Sequence, residues 1–283
     1  MCLCPNGTAS RRWSGLTLLE MLISISIMSI IALAMGGMAM SVRQTTDYTQ
    51  GRGAAMQHGR VALERINRLV SGAYTAPSHP GAVVVYDLIG AYRFPDTLLV
   101  WRPAGDPANP SGPPLMSEVV IVCPDPAAPS QLVEITAPTD SRQVPFDAST
   151  LNTTAWRNAL VAIKTANTSQ KTVLTDLLRT ASATSNGSTS GTGSLRGAVR
   201  FECELHPTAA EWTAYKAGTL AWSNMAWAQS LYNTNALTGL RQVWVRSELQ
   251  LMPDDMQGQQ DTTGQRVIPF FGSTALYYTL TGP

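Results

Sequence analysis

The sequence predicts an α+β protein in which one long N-terminal helix lies on an antiparallel β-sheet domain. Three observations carry this. Between Leu16 and Val42 the chain has a single ionisable side chain, Glu20. From Thr45 to Leu69 apolar residues recur at helical spacing among charged ones. From Ala82 onward, short β-branched runs alternate with turns rich in Pro, Gly and Asp.

The apolar run comes first. A helix rises ~1.5 Å per residue, so Leu16 to Val42 is long enough to cross a hydrocarbon core of ~30 Å. A secretory signal peptide has an apolar stretch of only ~7–15 residues, followed by a small-x-small cleavage site. Here Gly36, Gly37 and Ala39 are followed by more apolar residues, which argues against that reading. Glu20 sits one helical turn into the run. An ionised carboxylate in lipid costs several kcal/mol, so its presence calls for a partner. Gly36 and Gly37 each cost ~1 kcal/mol relative to Ala in a helix interior. Two readings of them stand: close helix packing in the membrane, or a point where the helix unwinds on leaving it.

The residues around Glu20 carry a resemblance. Arg11-Arg12-Trp13-Ser14-Gly15, followed by Leu16-Thr17-Leu18-Leu19-Glu20-Met21-Leu22, resembles the N-terminal signal of type IV prepilins and type II secretion pseudopilins. That signal is a short basic leader, a glycine, a hydrophobic residue and a glutamate five residues past the glycine. The resemblance implies cleavage by a prepilin peptidase between Gly15 and Leu16, and N-methylation of Leu16. Leu16 departs from the usual Phe. It also implies that Glu20 neutralises the terminal amine of a neighbouring subunit and so sets the axial register of a filament. The likeness covers residues 11 to 40. Further on, RVALERINRLV is similar to the second helical stretch of J-type minor pseudopilins and W-type minor pilins. The expectation is therefore a pilin-like fold and a minor subunit that primes or caps a filament. Its partners would be the peptidase and other pilin or pseudopilin subunits, and it would need no cofactor.

Composition narrows the field. The formal net charge is +1 and only 14% of residues are charged. No clustered basic face suggests a nucleic-acid footprint. Arg11 and Arg12 precede the span, and no acidic residue does. The positive-inside rule then keeps the leader in the cytoplasm and exports the C-terminal bulk across the inner membrane. Cys2 and Cys4 lie in the leader and would leave with it. Cys123 and Cys203 remain, and two readings stand for them. They form a disulfide in an oxidising periplasm, or they are two small buried core residues. One pair in a chain of 283 residues is no framework, which favours the core.

Domain organisation follows from the pattern: leader 1–15, helix 16–70 and globular domain 71–283. On the second half of the helix, Met56, Leu63, Ile66 and Val70 mark the inward face, and Gly51, Gly53 and Gly59 suggest a bend. Glu64 and Arg68 form an i,i+4 pair. Ala82–Ile89, Thr97–Arg102, Glu118–Cys123 and Gln131–Thr136 read as strands, the last two as a hairpin. Residues 103–114 read as a loop. Residues 150–183 read as helix, on Trp156, Leu160, Ile163, Val173, Leu174, Leu177 and Leu178. Thr180–Ser194 is Ser/Thr/Gly-rich and reads as a flexible insertion. Val199–Leu205 reads as a strand and Thr208–Thr238 as helix and loop with many aromatics. Leu240–Leu251 alternates cleanly, with Val243, Val245 and Leu249 inward. Ala275–Leu280 closes the chain as a strand.

No nucleophile motif or metal spacing accompanies His58, His79 or His206, which read as surface polar residues. Asp254, Asp255 and Asp261 lack the regular ligand spacing of a calcium loop. Asn152-Thr153-Thr154 matches a glycosylation acceptor by chance as readily as by design. The expectation is a structural assembly protein, not an enzyme, with no metal or catalytic residue. The alternative is a single-pass membrane-anchored periplasmic binding or sensor domain, for which Glu20 would be dispensable.

Overall fold

The computed structural model of the chain describes residues 17–76, 79–145, 148–183, 194–221, 224, 238–253 and 267–281. The chain divides into two compact units, residues 1–49 and 50–283. The boundary falls inside one continuous helix, α1 (Leu18–Ser71). At 54 residues, α1 is about 81 Å long. It stays helical through Gly36, Gly37, Gly51, Gly53 and Gly59. In the first unit every described residue is exposed. The Ser26 and Ser29 hydroxyls donate back to the carbonyls of Leu22 and Ile25, each at 2.8 Å. Each bond satisfies a hydroxyl proton on an otherwise apolar surface.

The second unit is built on two antiparallel sheets. The first is a five-stranded meander in sequence order: β1 (Ala82–Ile89), β2 (Tyr92–Trp101), β3 (Val119–Pro124), β4 (Leu132–Thr136) and β5 (Gln170–Thr175). The β3–β4 pairing is the hairpin expected from sequence. Two further strands, β6 (Thr180–Ala183) and β7 (Ser194–Gly197), pair only with each other. The second sheet has three strands in the order β10 (Ile268–Thr281), β9 (Thr238–Leu251), β8 (Val199–His206). Helices α2 (Ala148–Leu151) and α3 (Thr154–Thr165) follow β4, and α4 (Ala209–Lys216) follows β8.

Alternate residues of the first sheet enter two different cores. Leu98, Val100, Val120, Val122 and Leu132 face a core shared with α1 and the second sheet, which contributes Phe201, Val243, Val245 and Leu249. Leu99, Trp101, Ile121, Cys123 and Ile135 face the other way, onto Leu151, Leu160 and Ile163 of α2 and α3. A strand buried on both faces must be apolar at every position. That is the physical reason for the unbroken run Val119-Val120-Ile121-Val122-Cys123.

The buried stripe of α1 is Ala55, Gly59, Ala62, Ile66, Leu69 and Val70. Ile66 and Val70 were expected inside, but Met56 is exposed and small residues lead the stripe. The reason is β10, which crosses close to the helix. A Cβ on Gly59 would lie 2.6 Å from the Phe270 ring, and one on Gly272 would lie 3.0 Å from Leu63. One turn further, the Thr274 hydroxyl donates to the Asn67 amide oxygen. Four helical residues advance ~6 Å and two strand residues ~6.8 Å. The two ladders therefore stay nearly in step, with a small residue opposite a large one at two successive positions. Arg65 fixes the other side of the helix: its Nε and Nη2 each donate to the Glu134 carboxylate of β4 at 2.8 Å. The bidentate bond holds the guanidinium above its ordinary pKa.

Between 150 and 183 the expected continuous helix is corrected. Helix α3 stops at Thr165, where the Ser169 hydroxyl donates to the Ile163 carbonyl. The chain then returns as β5, whose Thr172 and Val173 pair with Glu134 and Val133. Leu177 and Leu178 are buried, as the helical reading required, but they lie in the extended connection to β6. The ends of the expected flexible insertion, Thr180–Ala183 and Ser194, belong to the β6–β7 hairpin. Residues 184–193 and the 222–237 stretch, apart from Asn224, lie outside the described residues. β8 and β9 agree with expectation, and β10 begins seven residues earlier than expected, at Ile268.

The α1–β10 seam makes a direct prediction. Gly59→Val drives a branched side chain into the Phe270 ring, and overpacking of this kind costs about 1–3 kcal/mol. The denaturant midpoint should fall, and adding Phe270→Leu should recover part of it. An unchanged midpoint in the single variant would show that the seam is loose.

Candidate functional site

The start of α1 is the place where the sequence concentrates its functional residues. Thr17 is the last residue before the helix and Glu20 lies in its first turn. The Thr17 backbone N–H donates to Glu20 Oε2 at 2.9 Å, and the Thr17 hydroxyl donates to the same oxygen at 3.1 Å. In return the Glu20 N–H donates to the Thr17 hydroxyl oxygen at 3.3 Å. This is a reciprocal capping box, Thr-x-x-Glu, which satisfies two backbone N–H groups that a helix start leaves without partners. Sequence reasoning singled out Glu20 and passed over Thr17. The spacing of the two was the signal that could have found it. Gly15 and Leu16, the expected cleavage and methylation positions, lie outside the described residues, as do Cys2 and Cys4.

Beyond the cap the helix presents Leu18, Met21, Leu22, Ile25, Met28 and the following apolar side chains to the outside, all exposed. The run is long and apolar enough to cross a membrane. A stretch this apolar with nothing packed on it among the described residues is suited to lipid or to other helices.

The remaining sequence candidates are dispersed. His58 sits on α1, half-exposed, with Nδ1 3.5 Å from the Asp176 carboxylate. His206 is 3.8 Å from Glu204. His79 is not the surface residue expected: it is buried, with its ring 5.7 Å from that of Trp101. Burial holds its pKa below the ordinary value, so it is neutral at pH 7. The Asn152 side chain is committed to the fold. Its oxygen accepts from the Tyr86 N–H at 2.9 Å, beside the irregularity in the β1–β2 register, and its nitrogen donates to the Ala148 carbonyl at 2.7 Å. Asp254, Asp255 and Asp261 lie outside the described residues. Among the described residues, no three His, Cys, Asp or Glu side chains group as metal ligands.

Cys123 and Cys203 are free thiols in different cores. The Cys203 thiol points at the Ala82 carbonyl, 3.6 Å away. Burial pushes the Cys123 thiol up to about 11 and the Cys203 thiol up to about 12. Cys123 is a buried residue of one core, and Cys203 is a partly buried residue packed against the other.

A second concentration of charge joins the β6–β7 hairpin to the first sheet. Arg196 of β7 reaches Asp96 of β2 at 3.0 Å and also bonds Asp87 of β1. Lys164 of α3 donates to the Thr97 hydroxyl at 2.7 Å beside them. Burial pushes the Asp96 carboxyl up, against the pull of Lys164 and Arg196. Burial works on Asp87 too, but Arg196 outweighs it and holds that carboxyl below its usual range. Sequence reasoning missed this cluster, because its members lie up to 109 residues apart.

No protein-family model, curated protein or solved structure matches the chain.

Two outcomes follow from this geometry. Thr17→Val removes the cap, a loss of about 1 kcal/mol. Amide hydrogen exchange of residues 18–20 should quicken about fivefold, while Thr17→Ser should leave it unchanged. Both cysteines, as thiols whose pKa is raised by their surroundings, should resist iodoacetamide at pH 8 in the native protein and react fully on denaturation. Rapid native labelling, or a loss of two protons in the mass of the oxidised protein, would contradict the packing.

Proposed function

We propose that the chain is a structural subunit of a type IV pilus or type II secretion pseudopilus. It would be a minor one, made as a precursor, cut by a prepilin peptidase between Gly15 and Leu16, and methylated at Leu16. One observation carries the reading. A capped helix start at Thr17 and Glu20 opens directly into an apolar run whose side chains are all exposed. A plain anchor needs the apolar run but has no use for a carboxylate inside it. An assembly segment needs both, because the run must leave lipid for a bundle of like helices and the carboxylate must find a positive partner there.

The arrangement of charge supports an inner-membrane orientation with the β-sheet domain on the periplasmic side. The size and elaboration of that domain support a minor, priming or capping role rather than that of a bulk subunit. The chain then acts by assembly and not by catalysis, needs no cofactor, and has the peptidase, the inner membrane and neighbouring subunits as its partners.

The test is the mass of the N-terminus in membranes with and without a prepilin peptidase. The expected mature protein starts at methylated Leu16, and Glu20→Ala should be cut normally yet lose most of its incorporation into filaments. An N-terminus that stays at Met1 with active peptidase present would overturn the reading and leave a membrane-anchored periplasmic domain.

A further inference from the structure

The outward face of the second sheet carries a cleft. One cavity of about 410 Å³ is bordered by Trp244, Arg246, Phe271 and Ser273 among others. Another of about 400 Å³ is bordered by His206, Gln242, Trp244, Ser273 and Ala275. Trp244 and Ser273 border both, so the two adjoin along β10.

The sequence of β10 shapes the cleft. Its outward residues are Phe271, Ser273, Ala275 and Tyr277, two aromatics flanking two small side chains. Phe271 is 71% exposed and Tyr277 56%. Six residues of strand separate them, about 20 Å. Strand register sets the wall. Trp244 of β9 lies beside Ala275, Arg246 beside Ser273 and Glu248 beside Phe271. On the far side β8 places Glu204 beside Trp244, Glu202 beside Arg246 and Arg200 beside Glu248.

The charges on this wall hold one another. Arg246 lies 3.4 Å from Glu204 and 3.7 Å from Glu202, and Arg200 also bonds Glu202. The Arg246 guanidinium lies 4.2 Å over the Trp244 ring and fixes the indole in place. Gln242 donates to the Tyr277 hydroxyl at 3.1 Å.

We propose that this cleft binds a neutral, linear oligosaccharide. The exposed face of Phe271 and the body of Tyr277 suit the C–H faces of sugar rings. Between them stand carboxylates and guanidiniums whose positions are fixed by pairing, which are the acceptors and donors that ring hydroxyls use. Other ligand chemistries fit worse. An anion meets Glu202, Glu204 and Glu248, and a cation meets Arg200 and Arg246. A wholly apolar ligand would take those groups from water and give nothing back. An extended peptide would lay its backbone on a sheet face that offers side chains only, where strand addition needs a sheet edge. The inference is independent of the assembly reading, since the cleft lies wholly in the second unit.

The experiment uses the full chain in nanodiscs, free of sugar-headed detergents. Maltotetraose, cellotetraose and tetra-N-acetylchitotetraose, all neutral, are titrated by calorimetry, with an uncharged peptide of similar length in parallel. At least one sugar should bind in the millimolar range or tighter. Phe271→Ala should weaken it about tenfold, the worth of one aromatic contact, and Phe271→Tyr should retain it. Thermal unfolding of each variant reports that the fold is kept. Arg246→Gln provides a second reading, with loss of binding expected. No binding of any of the three sugars at millimolar concentration, binding unchanged in both Phe271→Ala and Arg246→Gln, or binding of the peptide in their place, would each overturn the proposal.

Discussion

One helix joins an apolar run able to cross a membrane to a stripe buried against protein, and the layering of the domain follows from that. From Met21 to Val42, α1 carries apolar side chains interrupted only by glycines and serines and satisfies its backbone internally, which is the condition for lying in hydrocarbon. The second half must bury a stripe against protein while keeping Arg60, Glu64 and Arg68 in water. The helix runs unbroken through five glycines. Those residues lower its intrinsic stability, but tertiary contact recovers the loss where it exists: Gly59 is the point at which the Phe270 ring reaches the helix backbone.

The second half of α1 in turn decides the layering of the domain. The helix occupies one side of the five-stranded sheet together with the second sheet, so the opposite side needs its own cover, which α2 and α3 supply. That arrangement asks the central strands to be apolar on both faces and leaves the three-stranded sheet with one wet face. Val243, Val245 and Leu249 go inward, while Trp244, Arg246 and Glu248 go outward. The polar devices sit at the seams between layers. Arg65 with Glu134 ties the helix to the sheet, and Arg196 with Asp87 and Asp96 ties the small hairpin to the same sheet's other end.

Much of this was legible in the sequence, and the exceptions have causes. The membrane-length helix, the β3–β4 hairpin and the alternation of β9 could be read because one local period decided each of them. The stripe of α1 was misread at Met56 because size and hydrophobicity were taken as the guide, whereas a close strand crossing selects small residues such as Ala55 and Gly59. β5 was read as helix because Val173, Leu174, Leu177 and Leu178 match a helical spacing as well as an extended one. Pairing with β4, a non-local contact, broke the tie. The same limit hid the Arg196 cluster, and it left His79 on the surface when the Trp101 ring covers it. Of the candidate site, Glu20 was found by its cost in lipid. Thr17 was not, although the Thr-x-x-Glu spacing was in plain view.

The cap bears on how the Glu20 carboxylate would serve as a contact in the proposed assembly. A carboxylate has two oxygens and about four lone-pair positions. Thr17 engages one oxygen, Oε2, through two donors. This fixes the Glu20 rotamer and leaves the second oxygen able to accept from another group. Under the assembly proposal, a cut before Leu16 would put a new amine one residue ahead of Thr17 in the sequence. In a filament, the amine of a neighbouring subunit would be the group that meets the second oxygen, with the cap intact. Glu20 would then contribute position more than net attraction, because the pairing is met only when a neighbouring helix start stands at the height of Glu20, and a helix slid by one turn would leave both charges without a partner in an apolar medium.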